Sequence, residues 1–280
     1  MKKNKKTSFL YPQYLPTMQT RVSDFIQVFQ SALWQLNSTY IHYQGTTMVF
    51  DPAYLPNEIQ LISNLCPQAQ KGKRYIVYTH GDFDHVVGCQ SFEGFEQVGS
   101  MAMADRPDIE RVLIQMEAFD HENYISRPYP VGYPELDHKL IISESHTFKL
   151  GSIEILVYKA SGHTADGLFY IIPDLKLWIA GDYLSDIEFP FFEDDIDEYF
   201  RTMARATKIV NEFEIDYMIP GHGSIAFTKK EITSRIERSI NYLDSLRNKV
   251  KPDWRTSWGH SPFEIYLNKM HQNNLAKLLK

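Results

Sequence analysis

Six consecutive residues, His80-Gly81-Asp82-Phe83-Asp84-His85, carry two imidazoles and two carboxylates. Imidazole nitrogen and carboxylate oxygen are the usual ligands of catalytic zinc and related ions. The run directly follows Arg74-Tyr75-Ile76-Val77-Tyr78 and Thr79, and β-branched and aromatic residues of this kind favour a strand. A loop leaving a strand lets several side chains converge on one point, whereas a helix would spread neighbours over different faces. Three further candidates repeat the setting. His163 follows Ile155-Leu156-Val157-Tyr158, Asp182 follows Leu177-Trp178-Ile179-Ala180, and His222 follows Tyr217-Met218-Ile219. Gly162, Gly181 and Gly221 directly precede them, and glycine lets a chain turn sharply and approach closely. Four strand ends with ligand-type residues predict one shared sheet edge with a metal site above it.

The rest of the chain supplies the elements that must hold these residues. Tyr40-Ile41-His42-Tyr43 and Thr46–Phe50 read as two short strands around Gln44-Gly45. Ile59, Leu61, Ile62 and Leu65 predict a helix after Pro56, and Leu168–Ile172 predicts a strand ended by Pro173. Apolar residues from Ile196 to Phe213 recur at helical spacing. Thr228-Lys229-Lys230-Glu231 reads as a capping box before a helix. Ser261-Pro262-Phe263-Glu264 reads as a second one, with proline at the first helical position. Strands alternating with helices predict an α/β or α+β class with layered sheets and covering helices.

Taken in order, the seven polar residues resemble the metallo-β-lactamase superfamily. Its pattern is a His-x-His-x-Asp-His loop, then a His, a Gly-Asp and a Gly-His. Met48-Val49-Phe50-Asp51-Pro52 is also similar to the family's early strand ending in Asp, and the likeness runs from about Thr39 to Gly223. The resemblance implies a four-layer αββα sandwich in a single domain over residues 1–280. Residues 1–20 would be a flexible or appended N-terminus, and 224–280 a helical C-terminal extension or completion of the fold. It implies two divalent metal ions, the first held by His80, Asp82 and His163, the second by Asp84, His85 and His222. Asp182 would bridge them, and Asp84 would also be the catalytic residue that orients the nucleophile and shuttles its proton. One position departs from the pattern: Asp82 stands where the family has its second histidine. A carboxylate remains a competent ligand, but its harder oxygen shifts preference toward manganese or iron. Zinc remains the first expectation.

Two metals about 3.5–4 Å apart can clamp a water and lower its pKa to near 7. The resulting bridged hydroxide would attack an ester, thioester, lactone or amide carbonyl. A phosphodiesterase or nuclease on the same site is an alternative, as is a di-iron oxidoreductase, although no flavin-binding segment follows the metal motifs. A formal net charge of −6 gives a nucleic acid no basic surface, so a small molecule is the expected partner, with a homodimer a candidate assembly. No stretch reaches the roughly 20 apolar residues of a membrane span. No apolar signal core precedes Pro12, Phe9-Leu10-Tyr11 being the longest such run there. Lys2, Lys3, Lys5 and Lys6 read as a solvated terminus. With only Cys66 and Cys89 present, a cytoplasmic setting is expected.

Other polar residues have plainer readings. His42, His121, His138, His146, His260 and His271 are expected to be structural or surface histidines, and Cys89 a small apolar residue. Glu193-Asp194-Asp195 with Asp197-Glu198 reads as an acidic helix start. The aromatic stretch Tyr183 to Phe192 could wall a substrate pocket or pack under the next helix. The insert between Cys89 and His146, with Tyr124, Tyr129 and Tyr133, could be a lid or surface structure.

Overall fold

A computed structural model describes residues 17–66, 72–193, 195–250 and 252–278. The lysine cluster, the Phe9-Leu10-Tyr11 run and Asp194 lie outside them. The first sheet holds seven strands in sequential order: β1 (Met18–Arg21), β2 (Ile26–Gln30), β3 (Asn37–Tyr43), β4 (Thr46–Phe50), β5 (Lys73–Val77), β6 (Glu96–Ser100) and β7 (His138–Leu140). The second holds β8 (Ser145–Leu150), β9 (Ile153–Lys159), β10 (Leu168–Ile172), β11 (Leu177–Gly181) and β12 (Tyr217–Pro220), ordered β12-β11-β10-β9-β8. Strands β1 to β4 and β8 to β11 pair antiparallel, while β4 to β7 and the β11–β12 pair are parallel. The helices are α1 (Pro56–Ser63), α2 (Phe83–Val86), α3 (Met101–Ala104), α4 (Ile109–Glu122), α5 (Ile196–Glu212), α6 (Lys229–Arg247), α7 (Trp254–Trp258) and α8 (Glu264–Lys277).

Alternation along the strands builds three cores. Met48, Phe50, Val77 and Val98 from the first sheet meet Ile155, Val157, Tyr170 and Ile179 from the second. On the outer face of the first sheet, Val49 and Ile76 pack with Ile59 of α1 and Val112 of α4. On the outer face of the second, Trp178 and Ala180 pack with Met203 of α5, Ile232 of α6 and Trp258 of α7. The layers are therefore α, β, β, α, as the resemblance implies. Strand β11 is buried at every residue, which is why it reads as an unbroken apolar run. Each apolar side chain so removed from water contributes about 1.5–3 kcal/mol.

The structure corrects five expectations. The ligand-bearing strand ends do not share one sheet edge: His80 leaves β5 of the first sheet, while His163, Asp182 and His222 follow β9, β11 and β12 of the second. The site sits where the two sheets' ends face each other. Residues 83–86 are a helical turn rather than a loop. The turn does separate its neighbours, and that separation sends them to two centres. The second capping box does not form. Ser261 Oγ accepts instead from Phe263 N two residues on, and α8 begins at Glu264; of the first box Thr228 Oγ1 accepts from Glu231 N, while the Glu231 carboxylate accepts from Phe227 N rather than from Thr228 N. Among the described residues, three helices rather than two follow Gly223, with α7 between the expected pair. The sheet also begins within the segment expected to be appended, since Met18 starts β1. No helix among the described residues is long and apolar enough to cross a membrane.

Candidate metal centre

All seven singled-out residues converge at the facing sheet ends. Their atoms fall into two groups around Asp182. On one side, His163 Nε2 lies 3.5 Å from Asp82 Oδ2 and 3.3 Å from Asp182 Oδ2, and His80 Nε2 lies 3.7 Å from each. On the other, His85 Nε2 lies 3.1 Å from Asp182 Oδ1 and 3.8 Å from Asp84 Oδ2, and His222 Nε2 lies 3.6 and 3.4 Å from the same oxygens. Donor atoms held tetrahedrally about 2.0–2.2 Å from one ion are about 3.3–3.6 Å apart, so both groups match the edges of a metal polyhedron. His80, Asp82 and His163 could hold one ion, and Asp84, His85 and His222 another. One Asp182 oxygen faces each group.

The ring tautomers agree. Each imidazole uses Nδ1 toward the protein: His80 to Thr79 Oγ1 at 3.0 Å, His85 to Asp51 Oδ2 at 3.0 Å, His163 to the Phe191 carbonyl at 2.7 Å and His222 to the Trp34 carbonyl at 2.9 Å. Carbonyl and carboxylate oxygens only accept, so Nδ1 carries the proton and Nε2 presents its lone pair. The Thr79 hydroxyl donates to Asp51 Oδ2 at 2.7 Å and so accepts from His80. Nε2 of His80, His85 and His163 and Oδ1 of Asp182 are buried with no hydrogen-bond partner. Orphaned acceptors of this kind are costly unless a cation satisfies them.

The electrostatics also call for cations. Burial works against a charged His85, His163 or His222, yet carboxylates override it: Asp182, Asp84 and Asp51 at His85, Asp182 and Asp82 at His163, and Glu188, Asp182 and Asp84 at His222, which is raised to about 10. His80 goes the other way, lowered first by burial and then by the neighbouring His85. Burial pushes Glu188 up to about 7, with Asp182 and Asp84 adding to the push and His222 opposing it. Without a metal, the cluster recruits protons to offset its carboxylates.

Local backbone explains how these groups approach so closely. A side chain at Gly221 would collide with Asp182 Oδ1, and Gly221 N donates to the Gly181 carbonyl at 2.6 Å. Asn37 fixes the same turn, with Nδ2 donating to the carbonyls of Pro220 and Gly223. A cleft of about 210 Å³ opens over the ligands, with Trp34, Phe83, Phe189 and Phe191 as aromatic wall and Arg111, Glu188, Tyr266 and Lys269 among the polar groups. The aromatic stretch thus serves both of its readings. Phe189 stacks on Tyr242 at 4.7 Å between ring centres, and Phe191 sits edge-on to His163 at 6.0 Å. Helix α8 roofs the cleft through Tyr266, which stacks on Trp34 at 5.8 Å.

Of the other candidates, Glu193 of the acidic run and Arg111 of the insert line the cleft, and the cysteines and the remaining histidines lie elsewhere. Cys66 and Cys89 are free and buried, and Cys89 packs on the outer face of the first sheet. Asp195 caps α5 by accepting from Asp197 N. His42 pairs with Thr47, His138 with Glu96 and His271 with Tyr242. The insert contributes β6, β7 and α4, besides Arg106 beside Asp82. Sequence reasoning missed Thr79, Trp34, Arg106, Asp166 and Glu188, and it noted Asp51 without giving it a role. Only Asp166, three residues after His163, had a signal in its position.

Comparisons with known proteins follow this geometry. No curated protein matches the sequence. Among solved structures, the stereoselective inverting sec-alkylsulfatase Pisa1 from Pseudomonas sp. superposes with a TM-score of 0.65 at 13% identity, over 83% of this chain and 42% of that one. The present chain therefore spans less than half of the sulfatase. A metallo-beta-lactamase from Pontibacter korlensis superposes with a TM-score of 0.56 at 17% identity, over 79% of this chain and 99% of that one. At such identities the likeness is one of fold. The sequence model described as "Metallo-beta-lactamase superfamily" matches residues 32–222, a span that takes in all seven clustered residues, and the chain belongs to that superfamily.

Proposed function

We propose that this protein is a dinuclear metal-dependent hydrolase of a small ester, thioester, lactone or amide. The observation that carries the reading is Asp182, whose two oxygens each face a separate triad of histidine and aspartate donors, with Nε2 of His80, His85 and His163 orphaned among them. In this reading His80, Asp82 and His163 hold the first ion, Asp84, His85 and His222 the second, and Asp182 bridges. Three carboxylates among the seven donors suit zinc, manganese or iron, with zinc first. Two ions bound there would supply Lewis acidity and a water acidic enough to ionise near neutral pH. The chain's own part is to fix four imidazoles with their lone pairs inward, to exclude bulk water through Trp34, Tyr266 and Phe191, and to orient the attacking group with Asp84. The chain, residues 1–280, acts as one domain, with α6 to α8 completing the outer layer and α8 closing the cleft.

A phosphodiester is the second reading. Asp82 supports it through its hard oxygen donor, while the net charge of −6 speaks against a polyanion. The test is metal analysis of the purified protein with a panel of lactone, thioester, β-lactam, phosphodiester and sec-alkyl sulfate substrates. The expected result is about two ions per chain and turnover of a carbonyl substrate that ceases on chelation and returns with metal. Full turnover by the stripped protein refutes the reading, as does iron with oxygen-dependent turnover. Cleavage of the phosphodiester alone replaces it with the second.

A further inference from the structure

Asp82 replaces an imidazole by a carboxylate, and the two differ in a way the surroundings must answer. An imidazole presents one lone pair and anchors through its opposite N–H. A carboxylate has two equivalent oxygens, adds a negative charge and can rotate or chelate with both. Something must occupy the second oxygen if only one is to face the triad.

The insert supplies that group. Asp82 Oδ2 faces His80 and His163, while Oδ1 lies 3.4 Å from Nη1 and 3.5 Å from Nη2 of Arg106. The Arg106 side chain is only 10% exposed. Its orientation is set from behind: Nε donates to Asp108 Oδ1 at 2.7 Å, Nη2 to Asp108 Oδ2 at 3.3 Å and Nη1 to Asp166 Oδ2 at 3.4 Å. Asp166 Oδ2 also accepts from Gly81 N at 3.1 Å. A side chain on Gly81 would collide with Tyr133, Arg106 and Asp166, so the loop before Asp82 is pressed onto this cluster. The guanidinium therefore joins two ligand loops, one carrying His80 and Asp82 and the other His163.

We propose that Arg106 is a positioning residue that makes Asp82 work as a one-oxygen ligand in place of histidine, with Asp166 and Asp108 holding the guanidinium. The pair Asp82–Arg106 is then a unit exchangeable for a lone imidazole. The inference rests on the two-metal reading and concerns its first centre.

The test is a four-variant cycle of the full-length protein: wild type, Arg106→Ala, Asp82→His and the double variant. Metal affinity and stoichiometry are read by competition with a chromophoric chelator, and near-ultraviolet circular dichroism checks folding. Arg106→Ala is expected to weaken one of the two ions by about 10–100-fold, the usual effect of losing an outer-shell partner. Asp82→His should also weaken it, because the imidazole N–H would meet the Arg106 donors. The double variant should bind more tightly than either single variant. The visible spectrum of the cobalt(II)-loaded protein should change in Arg106→Ala, as Asp82 turns both oxygens inward, and revert in the double variant. Arg106→Lys keeps the charge but loses the fork and should fall between wild type and alanine, which keeps the test open if the alanine variant misfolds.

Additive effects around the cycle overturn the proposal. So does tighter binding in Arg106→Ala, which would make Arg106 a repulsive charge only. A wild-type protein that binds no metal fails the underlying two-metal reading instead, whereas normal wild-type binding with an inert Arg106 fails this inference alone.

Discussion

Exchanging one oxygen for an amide at Asp51 should loosen both metal ions from behind. Asp51 is buried just beyond β4 with φ at +48°, a backbone region that asparagine tolerates. Oδ1 accepts from Thr79 N at 2.9 Å, while Oδ2 accepts from Thr79 Oγ1 at 2.7 Å and His85 Nδ1 at 3.0 Å. In Asp51→Asn, an amide nitrogen at the Oδ2 position meets two donors. His85 can answer only by moving its proton to Nε2, toward the second ion. The Thr79 hydroxyl can answer only by turning its hydrogen toward His80 Nδ1, which moves that ring's proton to Nε2, toward the first. The amide could instead turn over, but its nitrogen would then face the buried Thr79 N–H and leave it unpaired, at about 1–3 kcal/mol. That cost caps the penalty, which at 1.4 kcal/mol per tenfold is about 5- to 150-fold in metal affinity. Chelator competition on the purified variant measures it, with thermal unfolding to confirm the fold. Asp51→Ala is less informative, because it strips three buried donors of their acceptor and should cost the fold roughly 3 kcal/mol or more. Wild-type affinity for both ions in Asp51→Asn would refute the tautomer argument.

Two further outcomes follow from the same geometry. Asp84→Asn should keep the fold and the first ion but lower turnover by at least about 10²-fold, the scale of losing an oriented proton acceptor; kinetics beside metal analysis would show it, and unchanged turnover would remove Asp84 from the chemistry. The metal-free protein should become less stable as pH rises. His85, His163 and His222 are raised in the folded state, so their contribution is complete below the unfolded value near 6.5 and is lost as pH climbs through the folded values, to about 10 for His222. Asp182, buried but held low by His85, His222 and His80, contributes fully above its unfolded value near 3.9 and loses that contribution as pH falls through its lower folded value. His80 is lowered and opposes the others below 6.5. Denaturant melts of the stripped protein from pH 5 to 10 should therefore fall in midpoint, while bound metal, which needs unprotonated Nε2 atoms, should reverse the trend. A flat profile for the stripped protein would contradict the charge balance.

What the sequence made legible, and what it hid, divides by the range of the interaction. The ligand set could be read because its members fall in four groups, each with a glycine at the end of an apolar strand run, a local pattern repeated in order. Strands buried on both faces, such as β11, announce themselves by composition alone. By contrast β6 (Glu-Gln-Val-Gly-Ser) and β7 (His-Lys-Leu) have little strand character of their own. They are strands because β5 offers a parallel partner to β6, and β6 in turn to β7. Strands β1 and β2 likewise join the sheet by pairing with each other and with β3.

The same distinction governs the site. Nothing next to Asp82 in sequence says that Arg106 takes its second oxygen, and nothing next to His222 says that the Trp34 carbonyl fixes its tautomer across 188 residues. A ligand is chosen by its own chemistry and is visible wherever it stands. Its orienting partner is chosen by chemistry and place together, and place exists only once the two sheets have closed. Departures from a family pattern therefore carry more information than matches. Asp82 looks like a loss when read alone, but it marks where a second, distant residue must act, and Arg106 is the only arginine or lysine among the described residues that forms an ion pair with it.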